Sequence, residues 1–381
     1  MTGTMKERSP GVWWLRAYAG RNSAGKPVQI SRTVRGGKRL AQAELAKLVT
    51  EVAERGEQVA PLRRVTTVTE LLDRWLEYLT PLREPGTIRG YRQHAKAIEA
   101  AFGSVPVSKL SAQHLNRAYR TWLGQGRAPR TIRQRHAIMS SALHQAQRWG
   151  IVTRAVTDLA SPPAIHSHPQ VATDPAMVRG LIDAAEESNP VLAAAIALAA
   201  VTGARRGELC GLRWSDIDTA GLLHIRRAVK HALDPHELVV GPTKTRSERR
   251  VSMDNLAMAV LAAHRARVEH AAEMTGVALG LDAYVLSLDP SGTEPLRPDT
   301  LSNSFARLAR QQGAKLRFYD LRHFSATQLI GAGVDVRTVA GRLGHADAST
   351  TLRVYAHALQ QRDQAAAEVL GGLLFKQLPP V

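Results

Sequence analysis

Four short stretches in the second half of the chain hold side chains that could act on a phosphate ester. They are Thr202-Gly203-Ala204-Arg205-Arg206-Gly207-Glu208, then Thr243-Lys244-Thr245-Arg246, then Tyr319-Asp320-Leu321-Arg322-His323, and last Leu343-Gly344-His345 leading to Val354-Tyr355. A guanidinium is planar, permanently charged and able to give paired hydrogen bonds to phosphate oxygens. A phenol that loses its proton is a nucleophile, and a lysine or histidine can protonate a departing oxygen. Taken one at a time, the stretches also have ordinary readings. Arg205-Arg206 at a helix start can be surface charge, and a hairpin lysine such as Lys244 can simply be solvated. Tyr355 on an amphipathic helix can pack at a core edge, and His345 after Gly344 can cap a turn.

Their order and spacing narrow the choice. Together they resemble the catalytic signature of the tyrosine-recombinase (phage integrase) family: T-G-x-R-x-x-E, a hairpin lysine, H-x-x-R, L-G-H, then a tyrosine about ten residues on. Here Arg322 precedes His345 by 23 residues and Tyr355 follows it by 10. The likeness spans essentially the whole chain, with Gly11-Val12-Trp13 and the turn from Gly20-Arg21 to Gly25-Lys26 resembling the start of an integrase arm domain.

The resemblance implies a DNA strand-exchange enzyme acting through a phosphotyrosine. Arg205 and Arg322 would bind the non-bridging oxygens of the scissile phosphate, with Arg206 the other candidate of its pair. Fixed donors of this kind typically contribute several kcal/mol each. His345 would add a hydrogen bond, Lys244 would protonate the leaving 5′ oxygen, and Glu208 would orient an arginine or its helix. Tyr355 would be the nucleophile. One position departs from the pattern: Tyr319 stands where the family has histidine. A phenol with a pKa of about 10 is a poor base at neutral pH, so Tyr319 is expected to act structurally or as a donor, while His323 packs on the far side of its helix. The bond energy is kept in the ester, so no cofactor and no metal are expected. A homotetramer on two duplexes is implied, with the helix of Gln360 to Leu373 packing on a neighbour through Ala366, Val369, Leu370, Leu373 and Leu374. A directionality factor and a host DNA-bending protein are the further partners. The alternatives are a chromosome-dimer-resolving recombinase, a type IB topoisomerase and a non-catalytic DNA-binding regulator.

Charge points the same way. The 381 residues carry a net charge of +18, which suits a polyanionic partner. Residues 1–64 hold 13 basic and 5 acidic groups and residues 65–169 hold 14 and 6, whereas residues 170–381 are nearly balanced at 24 and 22. A nucleic-acid grip is therefore expected mainly before residue 170. Candidates are Arg16, Arg21, Lys26, Arg32, Arg35, Lys38 and Arg39, then Arg89, Arg92 and Lys96, then Arg130, Arg133 and Arg135, most of them binding phosphate rather than bases. A single cysteine, Cys210, rules out an internal disulfide. With no signal-like N-terminus, and with Val191 to Val201 too short to span a bilayer, a cytoplasmic location is expected.

The elements that must position these residues read as a multidomain, mainly α protein with small β elements. Residues 1–60 are expected to form an arm-type DNA-binding domain, a three-stranded sheet plus the helix from Arg39 to Glu54. Gln58 to Arg64 reads as a linker. Residues 66–160 read as a helical core-binding domain of four helices: one capped by Thr67 or Thr69, then Thr87 to Ala101, Ser111 to Leu123 and Pro129 to Trp149. After a proline-rich linker from Ser161 to Pro169, residues 170–381 read as a mixed α/β catalytic domain. Its helix starts at Thr173 or Asp174, and Leu222 to Lys230 and Glu237 to Met253 form a hairpin. Further helices are expected at Asp254 to Glu273, Pro298 to Gln312, Leu321 to Ala332, Val336 to Leu343 and Ser349 to Leu370.

Overall fold

A computed structural model of the chain describes residues 3–21, 27–54, 67–165, 173–234, 236–243, 248–344 and 363–374. The chain divides into two compact units, residues 1–83 with 90–165, and residues 84–89 with 166–381.

In the first unit, β1 (Gly3–Ser9), β2 (Val12–Arg21) and β3 (Pro27–Arg35) form an antiparallel sheet in chain order. Alternation along β2 sends Leu15 and Ala17 into a core with Ala41, Leu48 and Val52 of α1 (Lys38–Glu54). The opposite phase carries Trp14 and Arg16, and the guanidiniums of Arg8 and Arg16 lie 4.1 and 3.6 Å from the Trp14 ring centre.

Helices α2 (Val68–Leu79), α3 (Pro85–Phe102), α4 (Ala112–Gly124) and α5 (Pro129–Arg148) realise the four-helix reading. Of the two threonines, Thr67 is the cap of α2: its hydroxyl accepts from the Glu70 N–H, and the Glu70 carboxylate accepts from the Thr67 N–H. Leu71, Leu72, Trp75 and Leu76 recur at helical spacing and are buried. Pro85 does not merely end the preceding segment; it opens α3, where a missing N–H costs nothing. Residues 161–163 pack back on the helices, Ser161 donating to Asn116 Oδ1 and Pro163 accepting from Arg133. The linker Gln58 to Arg64 lies outside the described residues.

The second unit is built around α7 (Pro190–Thr202), which is apolar on nearly every side and buried along most of its length. The apolar run Val191 to Val201 is thus a core helix, packed by α6 (Pro175–Ser188), α9 (Asn255–Met274) and α11 (Asp320–Gly331). Asp174 caps α6 through a hydrogen bond from Ala176. Among the described residues, no helix is long and apolar enough to cross a membrane.

The expected hairpin is instead four short strands in two antiparallel pairs. β4 (Leu222–Ile225) pairs with β7 (Arg249–Ser252), and β5 (Arg227–His231) pairs with β6 (Leu238–Pro242). The break between β4 and β5 has a local cause. Successive side chains of a strand point to opposite faces, yet Arg226 and Arg227 both reach the buried Asp216 carboxylate, each at 2.7 Å. A continuous strand cannot do this. The remaining elements are α8 (Arg206–Cys210), α10 (Pro298–Gln311), α12 (Val336–Leu343) and α13 (Asp363–Leu374).

The capping pair at the start of α2 makes a simple test. Thr67→Ala removes one hydrogen bond of a reciprocal cap and should cost about 1 kcal/mol of stability, read from the urea midpoint, with Thr69→Ala nearly silent.

Candidate active site

The short helix α8 begins where α7 ends, and the turn between them is made by the first motif. Thr202 is buried; its hydroxyl donates to the Leu198 carbonyl at 2.6 Å and accepts from the Ala204 N–H at 3.2 Å. Gly203 follows in the left-handed region, φ +63°, and caps α7. It lies against Leu343 of α12 and Ser325 of α11, and a Cβ there would collide with Leu343. The chain then turns into α8 with Arg205 at its N-cap.

Glu208 is the centre of the arrangement. Its carboxylate is buried and accepts three hydrogen bonds: from the Arg205 N–H at 2.9 Å, from Arg205 Nη1 at 2.8 Å and from Arg249 Nη2 at 2.7 Å. Burial is the largest single influence on its acidity and would raise its pKa. The hydrogen bond and charge of Arg249, with the N–H and charge of Arg205, together outweigh it, and the carboxyl sits below its usual 4.5. Arg205 uses its other Nη to donate to the Gly344 carbonyl at 3.3 Å. Arg206 is turned away, to Ser302 at 2.8 Å and Asp299 at 3.2 Å at the start of α10. The pair therefore has one member on Glu208 and one that ties α8 to α10.

Arg322, in the first turn of α11, is 2% exposed. Its Nη1 donates to the Gly203 carbonyl at 2.7 Å, while Nη2 is buried without a hydrogen-bond partner among the described residues. Burial, and then the Arg205 charge, lower its pKa to about 10, so it stays charged at neutral pH. Both arginines thus dock on the carbonyl of a left-handed glycine that caps a helix: Arg322 on Gly203 after α7, Arg205 on Gly344 (φ +68°) after α12. Those carbonyls sit at the negative ends of the helix dipoles.

Tyr319 precedes α11 and is half exposed, its ring meeting His323 edge-on at 5.0 Å. His323 is pushed toward its neutral form by burial. The two rings pack on each other. Lys244, His345 and Tyr355 lie outside the described residues.

One residue of the cluster is missing from the sequence-based set. Arg249 opens β7, whose burial alternates, with Arg249 and Val251 in and Arg250 and Ser252 out. A charged residue in the inward phase of a strand is the signal that would have found it. Its Nε donates to the Arg342 carbonyl at 2.8 Å and its Nη1 is buried without a partner among the described residues. Around the one carboxylate of Glu208 stand Arg205, Arg249 and Arg322, three positive charges against one negative. Two of their donors are unspent. Such a pocket suits an anion.

The basic side chains expected to grip DNA are more dispersed. Arg130 is exposed on α5, but Arg135 needs correction: it is 9% exposed, with its guanidinium 4.5 Å from the Trp122 ring centre, held inside by packing that its position one turn along the helix makes unavoidable. Arg133 is exposed and donates to Pro163. Arg32 is already paired with Glu44 and Glu51. Arg35, Lys38, Arg39, Arg92 and Lys96 are exposed, and Arg16 and Arg89 are partly so. Lys26 and the side chain of Arg21 lie outside what the structure describes.

Comparison with known proteins gives a consistent outcome. The model of the phage integrase family matches residues 172–362, and that of the phage integrase N-terminal SAM-like domain matches residues 67–123. An integrase of Streptomyces ambofaciens is 25% identical, the match covering 96% of this chain and 94% of that protein. A XerC-like tyrosine recombinase of Caldanaerobacter subterraneus subsp. tengcongensis is 24% identical over 81% and 83%. Among solved structures, the Tn1549 transposon integrase in complex with a circular intermediate DNA superposes with a TM-score of 0.68 at 19% identity, covering 80% of this chain and 99% of that one. A lambda integrase tetramer bound to a Holliday junction gives 0.56 at 21%, over 90% and 95%. These likenesses establish the fold.

The charge balance at Glu208 makes a pH prediction. A carboxyl whose folded pKa is depressed adds stability above its unfolded value and loses it as pH falls through the folded one. Wild-type stability should therefore decline below about pH 4.5 along a limb that Glu208→Gln lacks. At neutral pH the same variant should lose roughly 3–5 kcal/mol by leaving buried arginines uncompensated. Urea unfolding at a series of pH values measures both.

Proposed function

Because this chain belongs to the phage integrase family and is a tyrosine-type site-specific recombinase, we propose that it cleaves and rejoins DNA strands through a 3′-phosphotyrosine on Tyr355, integrating or excising a mobile element. The observation that carries this reading is Arg322, a buried guanidinium that spends one Nη on Gly203 and has no partner among the described residues for the other, beside the charge of Arg205. A phosphodiester resists attack because its own charge repels nucleophiles. Guanidiniums fixed in advance offset the negative charge that grows on the non-bridging oxygens, at no reorganisation cost when the reaction occurs.

In the first step the Tyr355 oxygen attacks phosphorus, the bond to the 5′ oxygen breaks, and Lys244 supplies that oxygen with a proton. His345 adds a hydrogen bond to the phosphate. The free 5′ hydroxyl of a partner duplex then attacks the phosphotyrosine, restoring a phosphodiester and releasing Tyr355. The number of ester bonds is unchanged, which is why neither a nucleotide nor a metal is called for. Tyr319 acts as a hydrogen-bond donor or packing group, and the Tyr355 proton leaves to another group or to water.

Residues 1–60 serve as the arm-site domain, 66–160 as the core-site domain and 170–381 as the catalytic domain. The enzyme works as a homotetramer in the cytoplasm. Support for assembly comes from α13, where Val369, Leu370, Leu373 and Leu374 are each more than half exposed and form an apolar row suited to a neighbouring subunit. A directionality factor and a host DNA-bending protein complete the partners. Chromosome-dimer resolution is a second reading, favoured by the XerC-named relatives. It is separated from integration by whether recombination needs arm sites in addition to the core site.

Nicked duplexes tiled from the DNA flanking the gene should trap a covalent adduct with the wild-type chain. Tyr355→Phe should bind the same DNA and form none, and persistent strand cleavage by that variant would refute the assignment. Binding should also weaken linearly in log–log form with salt, with a slope of about −0.9 for each phosphate neutralised, measured by fluorescence anisotropy. A flat response would exclude a phosphate-dominated grip.

A further inference from the structure

Arg249 takes part in a closed ring of hydrogen bonds that none of the expected catalytic residues explains. Going round it, Arg249 Nη2 donates to Glu208 Oε2 at 2.7 Å, and Arg205 Nη1 donates to Glu208 Oε1 at 2.8 Å. Arg205 Nη2 donates to the Gly344 carbonyl at 3.3 Å, and Arg249 Nε donates to the Arg342 carbonyl at 2.8 Å, two residues earlier on the same helix end. Arg342 returns the contact: its Nη1 donates to the Ser252 carbonyl of β7 at 3.0 Å and its Nη2 to the Val201 carbonyl of α7 at 2.9 Å. The packing is tight as well as polar, for a Cβ on Gly344 would lie 2.9 Å from Arg249 Nη1.

Two ends of this ring lead into expected catalytic segments. Lys244 precedes Arg249 by five residues, and His345 follows Gly344 directly. The ring therefore joins the strand that follows Lys244 in sequence, the helix end that precedes His345 in sequence, and the helix that Arg205 caps. A buried charge costs several kcal/mol to desolvate unless it is paired and hydrogen-bonded. Placing one at the start of a four-residue strand, where a Val or Ile would pack without that cost, calls for a role beyond packing.

We infer that Arg249 is a positioning residue for strand cleavage. It binds β7 and the end of α12 to Glu208, so that the segments bearing Lys244 and His345 depart from fixed points beside Arg205. The inference rests on the recombinase reading above. Lysine cannot substitute, because one ammonium lacks the planar fork that reaches a carboxylate and a carbonyl at once.

The test is single-turnover adduct formation by the full chain on nicked duplex at saturating protein, alongside DNA affinity and melting temperature. Arg249→Lys and Arg249→Met should each slow adduct formation roughly 10- to 100-fold, by analogy with the loss of groups that orient the ligands of metal sites. DNA affinity should fall far less than the rate of adduct formation. Removing one partner of a buried pair is destabilising, so the methionine variant should melt below wild type, and the lysine variant, which keeps a positive charge beside Glu208, guards against misfolding. Arg249→Lys combined with Glu208→Gln should be no slower than the slower single variant, because both act through the same ring. Wild-type adduct rates in either variant would overturn the inference, and so would losses that multiply in the double variant. Loss of folding in both would also overturn it, by making Arg249 structural alone. A wild-type chain that forms no adduct would instead sink the recombinase reading itself.

Discussion

A buried carboxylate flanked by arginines is the constraint on which the second unit depends. Glu208 is withdrawn from water and stays ionised only because Arg205 and Arg249 hold it, and those arginines are tolerated inside only because Glu208 is there. With Arg322 added, the cluster keeps an excess of positive charge. Carbonyls at the ends of α7 and α12 offset part of that excess. The rest is left over, with donors on Arg322 and Arg249 unspent. A pocket so arranged gains by binding an anion.

The motif spacing follows from this geometry. In Thr202-Gly203-Ala204-Arg205-Arg206-Gly207-Glu208, the threonine hydroxyl closes the last turn of α7 and the glycine takes the left-handed cap. The glycine carbonyl is thereby exposed to Arg322. Three residues separate Arg205 from Glu208, about one helical turn, which lets one carboxylate cap the Arg205 N–H and bind its guanidinium together. Leu343 and Gly344 repeat the device at the other helix end. Two distant stretches of chain thus supply the same part, a glycine carbonyl that receives an arginine.

Net charge is a cruder guide in the first unit. Its excess of basic residues is real, yet several of them are occupied internally: Arg32 with two carboxylates, Arg135 beneath Trp122, and Arg8 and Arg16 against Trp14. Counting charges along a helix assigns them all to the surface. Amphipathic helices, however, turn the same face inward every three or four residues, and Arg135 falls on the buried face with Ile132, Ile138 and Met139 while Arg130 does not.

Helical periodicity, the Thr67 and Asp174 caps and the proline and glycine boundaries were legible in the amino-acid order, because they depend on neighbours within one turn. The same holds for the set of residue types in the four motifs, whose order alone singled out Arg205, Glu208 and Arg322. Tertiary structure decided the rest. It parted the Arg205–Arg206 pair, sending Arg205 to Glu208 and Arg206 to α10. It split the expected hairpin at Arg226, because Asp216 draws two successive side chains to one side. It also brought Arg249 to Glu208 across 41 residues of sequence. Such pairings are invisible in a one-dimensional pattern because a buried charge is defined by what surrounds it in space, and those partners come from strands and helices that only folding brings together.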